Sequence, residues 1–140
     1  MNNLAESYRA LGRFAEAEPL YREALAVTKA ALGEAHPDYA QSLNNLAGLL
    51  DATGRHDEAE PLFREALEID RKALGDKHPD FAIDLNNLAA LLRDTGRLDE
   101  AEPLFREALE VVEKALGAEH PDTRTVRENL ELFLKERGGG

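Results

Sequence analysis

The stretch LNNLAGLL at residues 43–50 returns as LNNLAALL at residues 85–92. The offset is 42 residues, and the same step carries Asn45 back to Asn3 and Asn87 on to Asn129. Asn3, Asn45, Asn87 and Asn129 thus mark one phase of a repeat that spans the chain. A period of this size means stacked supersecondary units, because one such unit cannot bury its apolar face alone. No other feature narrows the choice of fold as far.

Within one period the pattern is two helices. HPD at residues 36–38 opens the first, with proline where no intrahelical donor is lost and Asp38 at the positive end of the macrodipole. Its apolar stripe is Ala40, Leu43, Leu46, Ala47 and Leu50, and Gly54 closes it. Residues 56–74 form the second, through Ala59, Leu62, Phe63, Ala66, Leu67 and Ala73, and Gly75 ends it. Residues 14–32 show the same second-helix spacing at Ala17, Leu20, Tyr21, Ala24, Leu25 and Val27.

The expected organisation is one repeat domain over residues 1–137. Residues 1–33 are a shortened first unit, 34–75 the second, 76–117 the third, and 118–137 a terminal capping helix before a flexible glycine tail at 138–140. Near-identity of the second and third units at surface as well as core positions points to recent duplication or an idealised array. The small residue at the helix contact, Ala5, Ala47 or Ala89, becomes Glu131 in the last helix, as suits a polar end cap. With no strand signal, the chain is predicted to be all-α, a solenoid of antiparallel helix pairs with about seven helices.

Leu46, Ala47, Leu50, Gly54, Ala59, Phe63 and Ala66 stand in the order and spacing of the tetratricopeptide repeat. The 42-residue period and the NNLA, DEAEPLFREALE and HPD blocks resemble the kinesin light chain subclass of that family. The resemblance runs from residue 1 to about 135 and departs from the pattern at the shortened start and at the missing partner of the last helix. It implies a right-handed superhelix whose first-type helices line a concave groove that binds a peptide or extended protein segment. It does not imply membership of a motor.

At about 100° per residue, Leu43, Leu46, Ala47 and Leu50 share a narrow arc and Asn45 lies almost opposite it. Gln41, Gly48 and Ala52 fall on the outward strip with Asn45, and Asn44 sits beside it. In the third unit the strip is Ile83, Asn87, Ala90 and Asp94, with Asn86 and Arg93 alongside. An asparagine amide can pair with the N–H and C=O of an extended backbone whatever its side chains. Helices of adjacent units about 10 Å apart would present one amide to every third residue of a peptide advancing ~3.3 Å per residue. The candidate groove residues are therefore Asn3, Asn45, Asn87 and Asn129, with Asn44, Asn86, Gln41 and Arg93 at its side. Arg9 and Arg93 could meet an acidic side chain, but solvation is the plainer account of each.

Composition removes several classes of function. A net charge of −11 repels phosphate backbones and anionic lipid, so neither nucleic acid nor membrane is expected as a partner. Absence of cysteine excludes disulfides, thiolate catalysis and thiolate-held metal. Without a leader or an apolar span the expected compartment is the cytosol. His36, His78 and His120 recur once per unit before Pro-Asp, a ladder that suits helix starts better than a converging metal site. His56 has no counterpart and reads as a surface residue. Asp94-Thr95-Gly96 spells an aspartic-protease triplet by coincidence, since the sister unit reads Ala52-Thr53-Gly54. No carboxylate falls on an apolar face, where burial would tune it for proton transfer. No enzyme activity, cofactor or metal is expected. Pro19, Pro61 and Pro103, inside second-type helices, read as structural bends.

Two functions remain open. One is an interaction scaffold binding an extended segment along the first-helix faces. The other is a self-assembling module, a homo-oligomer formed through its ends, where the last helix carries Val126, Leu130, Phe133 and Leu134.

Overall fold

The computed structural model describes Ser7 and residues 9–139. Among them are six helices and no strand: α1 (Phe14–Leu32), α2 (Pro37–Ala52), α3 (His56–Leu74), α4 (Pro79–Asp94), α5 (Leu98–Leu116) and α6 (Pro121–Gly139). Most of the helix expected over residues 1–12 lies outside the described residues, although Ser7, Arg9 and Ala10 are helical. The all-α expectation holds, with α2, α4 and α6 as first-type helices and α1, α3 and α5 as second-type.

The histidines explain how the first-type helices begin. His36 Nδ1 accepts from the Asp38 N–H at 3.0 Å, His78 from Asp80 at 3.0 Å and His120 from Asp122 at 3.1 Å. Each imidazole satisfies a backbone donor that the first turn leaves without an intrahelical partner. The helices end on a glycine that can take a left-handed backbone: Gly54 has φ 82°, and Arg55 N–H then reaches back to Leu50 C=O at 2.8 Å. The Thr53 and Thr95 hydroxyls bond carbonyls of the same last turns, so the Asp-Thr-Gly triplet belongs to a helix end. Pro19, Pro61 and Pro103 are exposed, which leaves the carbonyl that each deprives of a donor on the wet side of its helix.

The chain divides into two compact units, Met1–Ile69 and Asp70–Gly140, with the boundary inside α3. In unit 1, Tyr39, Ala40 and Leu43 of α2 pack with Ala66 of α3, and Leu25, Leu62 and Ile69 close around them. In unit 2, α4 packs on α5 and α5 on α6. Phe105 and Phe133 meet there with ring centroids 5.1 Å apart.

Burial is broader than the expected stripe. Tyr39, Ser42 and Leu49 of α2 are buried in addition to it, and so are Phe81, Asp84 and Leu91 of α4. A first-type helix is covered on two sides, whereas α5 buries mainly Ala101, Phe105, Ala108, Val111 and Val112. Val27 and Ala73, expected in the apolar stripes of second-type helices, are exposed instead. Helical phase placed them on the stripe, but phase alone does not decide whether a neighbouring segment covers a residue.

One further expectation needs correction. Asp70 and Asp84 are buried, 5% and 1% exposed, although no carboxylate was expected on an apolar face. They sit 42 residues after Thr28 and Ser42, whose hydroxyls lie 3.3 Å apart between α1 and α2. That position adjoins the stripe, so a single-helix projection does not show it as core. At the other end, α6 is assigned through Gly138 to Gly139.

Candidate functional site

Asn45, Asn87 and Asn129 are half-buried, as are Asn44 and Asn86, while Gln41 is exposed. Asn3 lies outside the described residues. In unit 1, Gln41 Nε2 donates to Asn45 Oδ1 at 3.0 Å, one turn along α2. In unit 2, Asn129 Nδ2 donates to Asn86 Oδ1 at 3.3 Å, which sets one asparagine of α6 against one of α4. The lateral and central positions of neighbouring first-type helices thus form a rung. Sequence periodicity placed both asparagines on the outward half of a helix, but it could not show one repeat's amide reaching the next.

A rung formed this way leaves Asn129 Oδ1 as an acceptor and the Asn86 amide as a donor beyond the pair itself. Arg93, the remaining predicted residue, is half-buried and bonded to Asp94 Oδ1 at 3.2 Å. That ion pair lowers its capacity to recruit an acidic ligand group. In unit 1 a Cβ at Gly48 would lie 3.3 Å from the Arg9 guanidinium, so the glycine lets Arg9 lie against α2.

Other polar groups near these faces are structural. His56, read as a surface residue, has its Nδ1 2.6 Å from Asp51 Oδ1, tying the start of α3 to the end of α2. Sequence could not pair them, because the sister unit has Leu98 and Arg93 at those positions. Arg55 bonds Glu18 at 2.6 Å and Glu58 at 2.5 Å. Burial would raise the Glu18 carboxyl, but hydrogen bonds and charge from Arg55 and Arg22 hold it below the usual carboxylate range. In unit 2, Arg137 serves Glu102, the 84-residue mate of Glu18, at 3.3 Å, and also bonds Asp99 and the Leu98 carbonyl.

A hollow of about 360 Å³ lies between the Asp76–Lys77 turn and the Glu107–Lys114 stretch of α5. It contains none of the predicted residues. The Glu110–Lys114 pair at 2.8 Å lies on its wall. Among the described residues no group of three or more His, Asp or Glu side chains could hold a metal ion. No helix among them is long and apolar enough to cross a membrane.

Val126, Leu130 and Phe133 of α6, proposed from sequence as a sticky end, are buried inside unit 2. Leu134 is half-buried.

Tetratricopeptide repeat models match residues 1–72, 52–89 and 85–122. The chain belongs to the tetratricopeptide repeat family. Members of this family typically serve as protein-interaction scaffolds rather than enzymes. Its repeats are similar to the nearly identical TPR-like repeats assigned to a kinesin light chain of Podosopora anserina, at 27% identity and a TM-score of 0.88. They are similar also to BtubC (BKLC) of P. vanneervenii, at 26% identity and a TM-score of 0.86. Each comparison covers 98% of this chain, which spans 65% of the first structure and 55% of the second. The Yersinia enterocolitica type III secretion translocator chaperone SycD shares the fold at 20% identity and a TM-score of 0.67, over 98% of this chain and 83% of its own. No curated protein matches the chain.

Proposed function

We propose that this tetratricopeptide repeat chain is a protein-interaction scaffold that binds an extended peptide or protein segment on the outward faces of its first-type helices. The observation that carries the reading is the half-buried amide set on those faces. Asn45 in unit 1 sits beside Gly48 and Asn87 in unit 2 beside Ala90, while Asn129 has Leu132 at that phase. Amides held partly out of water in a shallow trough match the alternating donors and acceptors of an extended backbone. Neither face needs a cofactor to do this.

The test begins with selection of a random-peptide display library on the immobilised full chain. The best peptide, made with a fluorophore, is then titrated by fluorescence anisotropy. Asn45→Ala together with Asn87→Ala should abolish binding while leaving helicity and melting unchanged. Equal binding by the double variant, or no selected peptide, would sink the reading.

A further inference from the structure

In unit 2 the most open part of the first-type faces is aliphatic rather than amide. Ile83 and Leu132 are 41% and 49% exposed. Ile83 lies one turn before Asn86 and Asn87, and Leu132 one turn after Asn129. Because Asn129 bonds Asn86 at 3.3 Å, the two aliphatics bracket a single amide rung, one on each side along the helices. The repeat itself does not require them: unit 1 has Gln41 at the phase of Ile83 and Gly48 at the phase of Leu132. Scattered exposed aliphatics are ordinary on any surface. Two at one rung, on the face already assigned to a ligand, form a seat for apolar side chains.

Charge around this seat has one dominant sign. Residues seven apart on a helix differ by only about 20° in direction. Asp80 and Asp94 therefore flank Asn87 on α4, and Asp122 and Glu136 flank Asn129 on α6. Asp94 is held by Arg93, and Asp80, Asp122 and Glu136 are exposed, with Lys135 as the nearby cation on α6. An acidic segment would be repelled here and a basic one attracted.

We infer that the unit 2 face takes an extended segment whose aliphatic side chains rest on Ile83 and Leu132 and whose lysines or arginines face Asp80, Asp122 and Glu136. This rests on the scaffold reading above and adds the chemistry of its ligand. The rung of Asn86 and Asn129 meets the backbone of that segment, while the aliphatics and carboxylates choose its sequence.

The same library and anisotropy assay decide the matter on the full chain. Selected peptides should combine Leu, Ile, Val or Met with Lys or Arg. The I83S/L132S variant should bind the dominant peptide about tenfold or more weakly at unchanged melting, given the apolar area withdrawn from contact. The D80N/D122N/E136Q variant leaves the aliphatics in place, and should weaken binding and remove most of its salt dependence. Undiminished binding by I83S/L132S alongside loss in N45A/N87A overturns the inference and leaves the scaffold reading standing. Undiminished binding by both variants, or a library that yields no peptide, overturns both. Selection of acidic peptides, or binding indifferent to salt, overturns the assignment of a basic ligand.

Discussion

Units 1 and 2 follow one repeat, yet at the same contact they use different chemistry. Between α1 and α2 the contact holds hydroxyls: Thr28 donates to Ala24 C=O at 2.8 Å, and the Ser42 hydroxyl lies 3.3 Å from it. The equivalent residues in unit 2 are first Asp70 and Asp84, then Val112 and Val126, and all four are buried. A site that accepts hydroxyls, carboxylates or valines is not what determines how the helices meet. The surrounding Leu, Ala and Phe residues do that, and the contact position inherits whatever environment they create. Asp70 shows the consequence, because its Oδ1 is buried with no hydrogen-bond partner among the described residues. A buried polar atom without a partner costs about 1–3 kcal/mol.

The strongest way to break the comparison is at the aromatic closure of unit 2. Phe133→Ala removes the ring that meets Phe105 and should destabilise by about 3–5 kcal/mol. Chemical denaturation followed by circular dichroism would measure it, and a loss below about 1 kcal/mol would mean that the aromatics are not what closes α5 on α6. A smaller effect of opposite sign is expected at the carboxylate contact. Asp70→Val installs the residue found 42 positions later and should stabilise by about 1–3 kcal/mol, since a buried carboxyl oxygen without a partner gives way to apolar volume. A lower melting temperature would show that the carboxylate is a supporting element.

The smallest effect is expected from Arg55→Ala in unit 1, which removes the partner of Glu18 and Glu58. Glu18 has a carboxyl lowered in the folded state, so its share of stability is present above the ordinary carboxylate range and is lost as pH falls through the folded value. Thermal melts of wild type and variant should therefore differ slightly at neutral pH. The two should converge in acid and in high salt. A difference that persists in acid would assign the effect to the Arg55 stem rather than to its charge.

Much of this fold can be read in one dimension because solenoid repeats are local. The first-type helices begin at His-Pro and most helices stop at Thr or Gly, signals whose effects reach one turn, and the bounds read from sequence for α1, α2 and α3 agree with the structure within a residue or two. The candidate face was only partly legible. Helical phase put Asn45, Asn87 and Asn129 on the outward half, since phase is a property of a single helix. It did not reveal that Asn86 serves as the acceptor for Asn129, that Asp51 holds His56, or that Arg93 is held by Asp94. It set Ile83 on the outward strip but did not single out Leu132, because exposure depends on which neighbour covers a residue.

The sequence by itself determined, through its 42-residue period, its apolar spacing and its helix caps, that the described residues are all-α and that the units are tetratricopeptide repeats. Periodicity, caps and turn glycines act over a few residues, and the sequence records them directly. Only the tertiary structure decided which polar groups are buried and which aliphatics stay in water. Asp70 and Asp84 went into the core while Leu132 stayed out. Burial follows from contact between segments tens of residues apart, and no single helix carries that information.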